Sequence, residues 1–198
     1  MSVNFRTYLK ETGGLPKAHY DKLASSLQVK TIKKGEILSS PGEVCKFSFF
    51  VEEGLLRSYT VDEAGKEHII QFAPENWFIS DRSSILFDEP SEFFLDAVEN
   101  TTAVVIDENF LKNAIALSAT FRENNNKLLH NHIRHLQKRI NLLIGASAEK
   151  RYLNFIKLYP DLVMRVPQWM IASYLGITPE SLSRVRKELA ANNFKPTL

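Results

Sequence analysis

The stretch that most narrows the possible folds is VPQWMIASYLGITPESLSRVRKEL, Val166 to Leu189. Two apolar helical stripes, Ile171/Ala172/Leu175 and Leu182/Val185/Leu189, flank a compact stop-and-start signal. Gly176 falls where a helix ends and the chain needs a left-handed residue. Thr178 is placed to cap the next helix, and Pro179 to be its first residue, where a missing N–H costs nothing. Glu180 then meets the positive end of the helix dipole. The second helix offers Glu180, Ser181, Ser183, Arg184 and Lys187 opposite its apolar stripe. A helix with that face fits the major groove of DNA, its N-terminal half at the base edges. Arg184 would donate twice to guanine O6 and N7, and Glu180 would accept from cytosine N4. Thr178, Ser181 and Ser183 would meet phosphates, with Arg186 and Lys187 adding charge. The alternative is a capped helical hairpin with an ordinary charged face.

Charge supports the first reading. The net charge is +2, yet residues 134–198 carry 11 Lys and Arg against 4 Asp and Glu. A basic end suits a phosphate backbone, because bound lysines and arginines release condensed counterions.

The remaining chain has two further textures. Residues 1–28 place Tyr8, Leu9, Leu15, Tyr20, Leu23 and Leu27 at loosely helical spacing, which predicts short helices. From about residue 29 to 106, short apolar runs (FSFFV, LLRSYTV, HIIQFA, AVVI) alternate with turn signals at Lys34-Gly35, Pro41-Gly42, Glu53-Gly54, Ala64-Gly65 and Ala73-Pro74. That pattern predicts an antiparallel roll or barrel. After Asp107 the β signal stops and helices follow. Leu129, Ile133, Leu136, Ile140 and Leu143 are spaced 4, 3, 4, 3, the seam of a two-helix coiled coil. Asn126 precedes it at a position where a polar residue can fix register, and Arg134, His135, Lys138 and Arg139 flank it. The seam predicts a homodimer; packing on the chain's own β-domain would produce a similar stripe.

Several classes are disfavoured. No apolar run reaches the ~18 residues of a membrane span, and the polar N-terminus MSVNFRTYLKETGG lacks a signal-peptide core. The single cysteine, Cys45, supplies neither a disulfide framework nor a cysteine-only iron–sulfur or zinc site. The expected location is cytoplasmic. His130, His132 and His135 lie on the seam helix without a Cys or carboxylate to complete a set, so no metal and no cofactor are expected. Asp81, Asp88, Glu89 and Glu92 make an acidic loop with no paired base or nucleophile, so no enzyme is expected.

These residues resemble the cyclic-AMP receptor protein and fumarate–nitrate regulator (CRP/FNR) family, from about Val29 to Leu189. IASYLGITPESLSRVRKEL is similar to that family's DNA-binding signature, and the resemblance places Glu180 and Arg184 at its base-contacting positions. Pro179 stands where an arginine is common, which removes one guanine contact. KKGEIL, SPGE, FFVEEGLLRSY and DEAGKEHIIQF match the turn glycines and strands of a cyclic-nucleotide-binding roll, and AEKRYLNFI looks like the helix opening the DNA-binding domain. The phosphate-binding cassette departs from the family. Its Gly-Glu pair falls at Ser80-Asp81 and its Arg-Ser pair at Glu92-Phe93, with Arg82 the one nearby cation. A charge-assisted hydrogen bond contributes roughly 1.5–3 kcal/mol, out of about 8 kcal/mol for a micromolar ligand. The loss argues against cyclic AMP. Phe72, Trp77, Phe78, Phe87, Phe93 and Phe94 suit either a stacked ligand or a filled core. After the recognition helix only AANNFKPTL remains, too short for the family's β-wing.

The resulting expectation is an α+β chain with three parts. Residues 1–118 form a double-stranded β-roll sensor, 119–146 a dimerisation helix, and 147–198 a helix-turn-helix domain. Its expected effector pocket is Ser80, Asp81, Arg82, Glu92 and Phe93, with an unknown small-molecule effector or none. The implied partners are a palindromic DNA duplex, a second copy of the chain and RNA polymerase. The competing reading is a ligand-binding regulatory module whose C-terminal helices bind protein.

Overall fold

The computed structural model describes residues 5–24 and 27–191. They divide into two compact units. One holds the chain up to Val61 and again Ile70–His130; the other holds Asp62–Ile69 and the chain from Asn131 onward.

The first unit is a β-roll of eight strands: β1 (Gln28–Ile32), β2 (Ile37–Ser39), β3 (Ser48–Glu53), β4 (Leu56–Val61), β5 (Glu67–Ala73), β6 (Phe78–Ile79), β7 (Phe94–Ala97) and β8 (Thr101–Ile106). They form two four-stranded sheets, ordered β1-β8-β3-β6 and β2-β7-β4-β5. β5 continues from the second unit into the first. Phe49, Val51, Ile32, Ile79 and Ala103 from one sheet meet Leu56, Ala73, Leu95 and Ala97 from the other in a shared core.

The alternate residues of the first sheet are buried too. Phe50, Val104 and Ile106 pack against α1 (Phe5–Thr7), a π-helical turn over Tyr8–Thr12, α2 (Lys17–Ala24) and α4 (Glu108–Leu117). Burial on both faces explains why FSFFV reads as a continuous apolar run rather than an alternation. Phe5 stacks on Tyr8 at 5.7 Å, and Phe78 meets Phe50 edge-on at 4.9 Å. Burial in this aromatic cluster pushes the Tyr8 phenol up to about 12. At the β3–β4 turn Gly54 has φ +96°, and a Cβ there would lie 2.5 Å from Asn100 O. Only glycine satisfies both the angle and the contact.

Side-chain oxygens open the later helices. Asp107 accepts from Phe110 N at 2.7 Å to start α4. Ser118 accepts from Phe121 N at 3.2 Å at the head of α5 (Ala119–Gly145), and Ser147 from Lys150 N at 3.2 Å at the head of α6 (Ala148–Leu158). α5 has 27 residues, a length of about 40 Å. α7 (Leu162–Arg165), α8 (Gln168–Leu175) and α9 (Pro179–Ala191) complete the described chain. Tyr152 and Phe155 of α6, Ile171 and Leu175 of α8, and Leu182, Val185 and Leu189 of α9 are buried together as their helices pack. The tail 192–198, where a truncated wing is expected, lies outside the described residues.

Candidate nucleic-acid interface

The turn between α8 and α9 forms as its sequence dictates. Gly176 adopts φ +64° and ψ +37°, and its N–H reaches Ala172 O and Ser173 O. Ile177 N donates to Ala172 O at 3.0 Å. Thr178 then opens α9: its Oγ1 accepts from Ser181 N at 3.2 Å and donates to Ser181 Oγ at 3.2 Å. The chain's own N–H at Glu180 and the Thr178 hydroxyl hold the Glu180 carboxyl below its usual range.

The seven residues expected to touch DNA do not share one environment. Glu180, Ser183, Arg184 and Lys187 lie exposed along α9, opposite buried Leu182, Val185 and Leu189. Thr178 and Ser181 are engaged with each other in the cap. Arg186, though exposed, hydrogen-bonds the Tyr152 phenol on α6; burial raises that phenol and the guanidinium opposes the rise. Arg186 therefore braces α9 against α6, a role that charge alone did not reveal.

On α5, Ile133, Leu136 and Ile140 are 50%, 43% and 55% exposed in the single chain. Leu129 and Leu143 are half-buried. Arg139, read from sequence as a solvated flank, is instead half-buried, with its guanidinium 4.0 Å from the Tyr174 ring centroid.

The cassette region is built around a helix cap. Asp81 Oδ1 accepts from Ser83 N at 3.0 Å and Ser84 N at 3.3 Å, starting α3 (Arg82–Phe87). Asp81 Oδ2 is buried and, among the described residues, accepts no hydrogen bond. Ser80 is half-buried, Arg82 and Glu92 are exposed and Phe93 is half-buried. An orphan carboxylate oxygen calls for a donor, the opposite of what a cyclic phosphate presents. With the exposed Glu92 carboxylate at the place expected for a cation, the residues present do not fit a cyclic phosphate. Nor does the donor set fit an iron–sulfur cluster: Cys45 is buried, and among the described residues no three His, Cys, Asp or Glu side chains gather.

The pocket aromatics mostly fill the fold. Phe72 is fully buried, Phe78 joins the N-terminal aromatic cluster, Trp77 packs on the inter-sheet core, and Phe94 stacks on Tyr59 at 5.1 Å. Phe87 departs from the pattern at 71% exposed.

One feature of the roll escaped the sequence reading. Arg57 and Asp96 face each other across β4 and β7. Nε–Oδ1 is 2.8 Å and Nη2–Oδ2 2.9 Å, with the two side chains 7% and 10% exposed. A charged residue amid each apolar run, LLRSYTV and FFLDAV, was the available signal.

Comparison with known proteins agrees with this architecture. Residues 29–118 match the family described as the cyclic nucleotide-binding domain. The electron transport regulator A of Shewanella oneidensis is 28% identical over 171 residues, covering 79% of this chain and 66% of that protein. The anaerobic regulatory protein of Haemophilus influenzae is 26% identical over 167 residues, covering 79% and 64%. Among solved structures, FixK2 from Bradyrhizobium japonicum superposes with a TM-score of 0.72 at 20% identity, covering 87% of this chain and 89% of that one. A protein of Eubacterium rectale assigned to the crp/fnr family of transcriptional regulators gives 0.67 at 20% identity, covering 96% and 89%.

In sequence and fold the chain is similar to CRP/FNR regulators.

The β-roll, the long helix and the C-terminal helix-turn-helix follow one another in the expected order. It spans about two thirds or less of the length of the curated relatives, 60% for the anaerobic regulatory protein of Pasteurella multocida. Among the described residues no helix is long and apolar enough to cross a membrane.

Proposed function

We propose that this chain is a cytoplasmic, dimeric, sequence-specific DNA-binding transcription regulator. The observation that carries the reading is the capped helix α9 behind Gly176, which exposes Glu180, Ser183, Arg184 and Lys187 on one face while burying Leu182, Val185 and Leu189 on the other. Arg184 and Glu180 read base edges, and Ser183 and Lys187 contact phosphates. Residues 1–118 serve as the sensor domain, 119–146 as the dimer helix and 147–198 as the DNA-binding domain. The exposed apolar seam Ile133/Leu136/Ile140 takes the same seam of a second copy. Two recognition helices then read a palindrome with half-sites about 34 Å apart. RNA polymerase is the further partner at a promoter.

The sensor does not respond to cyclic AMP: Glu92 and Phe93 stand where the resemblance places the Arg-Ser pair, so a phosphate meets a carboxylate in place of a cation. Any effector acts through its different affinity for two arrangements of the dimer.

The test is selection of bound duplexes from a random pool at fixed moderate salt, without added ligand. A palindrome of defined half-site spacing is the expected result. Arg184→Ala should then lose about 1–3 kcal/mol of discrimination at one base pair of each half-site. Lys187→Ala should weaken all sequences alike and reduce the salt slope by about 1. Selectivity unchanged by Arg184→Ala would remove α9 from the recognition role.

A further inference from the structure

Two side chains of the second unit have no place in the reading above: Arg139 on α5 and Ser173 in the last turn of α8. Both meet the backbone of the β4–β5 hairpin. Among the described residues β5 is the last strand of its sheet, so one edge of it lacks a neighbouring strand. At that edge the Ser173 hydroxyl accepts from Ile69 N at 3.0 Å and donates to Glu67 O at 2.9 Å. One hydroxyl thus fills the slot that an adjacent strand would fill. Arg139 Nη2 donates to the next group along, Ile69 O, at 3.0 Å, and also to Tyr174 O at 3.2 Å.

The same contacts complete α8. A helix leaves its last four carbonyls without helical partners. Here Gly176 N and Ile177 N serve Ala172 O and Ser173 O, Arg139 serves Tyr174 O, and Arg151 Nη1 serves Leu175 O at 3.0 Å. Two guanidiniums from outside the helix-turn-helix therefore hold the negative end of α8, the end complemented by cations. Arg151 also donates through Nε to Ala146 O at 3.0 Å, at the α5–α6 junction. Since α9 begins three residues after Gly176, a rotation of α8 carries α9 with it.

We propose that Arg139 and Ser173 are positioning residues for DNA recognition. They fasten α8 at once to α5 and to the outer edge of β5, so the aim of α9 follows the hairpin. The fastening stands on geometry alone; its consequence for DNA rests on the DNA-binding reading given above. A serine inside a helix has a weak propensity there, and its hydroxyl gains a partner only because the strand edge is present. Arginine suits position 139 because one planar group both stacks on Tyr174 and forks to two carbonyls.

The experiment has two arms, both on the full chain. In the first, without DNA, Ser173→Ala should speed amide exchange at Ile69 by about fivefold, the factor one net hydrogen bond represents. Exchange within Leu56–Val61 should be unchanged. In the second, the selected palindrome is lengthened or shortened, each added base pair turning one half-site by roughly 35°. The wild-type protein should discriminate sharply among spacings. Arg139→Met and Arg139→Lys should both flatten that profile by about fivefold while leaving the salt slope intact. Restoration by lysine would show that charge alone matters and overturn the forked role. Unaltered Ile69 exchange would overturn the fastening. Faster exchange in Ser173→Ala with a wild-type spacing profile in Arg139→Met would overturn the positioning role. A wild-type protein that binds no duplex would sink the DNA reading and the positioning role with it, while the exchange arm still judges the fastening.

Discussion

Removal of the Asp96 carboxylate should destabilise the roll far more than removal of the whole Arg57–Asp96 pair. The two side chains are 7% and 10% exposed and joined by two parallel hydrogen bonds of 2.8 and 2.9 Å. The guanidinium also lies 4.1 Å from the Tyr59 ring centroid. In Asp96→Ala the guanidinium stays in that site without its counter-ion. Breaking a buried pair in this way costs about 3–5 kcal/mol. For a chain of this size each kcal/mol lowers Tm by roughly 2–4 °C, so a fall of roughly 6–20 °C is expected. Arg57→Met with Asp96→Leu removes both charges and replaces them by side chains of similar volume. That double variant should recover most of the loss, because the desolvation of two ions is no longer required. Thermal unfolding followed by circular dichroism, with the two single variants and the double in one cycle, measures the coupling. A Tm within about 2 °C of wild type for Asp96→Ala, or a double variant no better than the single, would refute the reasoning.

Other perturbations have equally definite outcomes. Gly176→Ala forces a Cβ into φ +64°, 3.2 Å from Leu143 Cδ2; a cost of about 1–2 kcal/mol for the left-handed conformation alone should appear in urea unfolding. Ile133→Glu with Ile140→Glu places carboxylates on the exposed seam and should give a monomer by sedimentation, whereas a persisting dimer would move the interface elsewhere. Asp62 at the hairpin tip is held below its usual range by the His68 ring at 2.8 Å and by the Lys66 and Ala64 amides. Its contribution is therefore present above the ordinary Asp pKa and lost as pH falls through the lowered value. In His68→Ala the Asp62 midpoint, read by carboxyl NMR, should move back up.

The parts of the fold legible in the sequence were those governed by neighbours along the chain. The Gly176–Thr178–Pro179 signal, the turn glycines and the apolar periods all act over a few residues, so they could be read in order. The α9 face followed directly, because helical spacing alone separates Glu180, Ser183, Arg184 and Lys187 from the buried stripe. Tertiary structure decided the rest. Arg57 meets Asp96 39 residues away, Arg139 meets Ile69 70 residues away, and Ser173 meets Glu67 106 residues away. Nothing in the local pattern of LLRSYTV or IASYL specifies those partners. Strand register and the presence of an unpaired strand edge select them, and both exist only once the sheet has formed. The same holds for Arg186, which charge assigned to DNA and packing assigned to Tyr152, and for Phe78, whose ring meets Phe5 and Phe50 in the N-terminal aromatic cluster. Backbone preference is a property of each residue and its neighbours, whereas the pairing of buried polar groups is a property of the assembled surface.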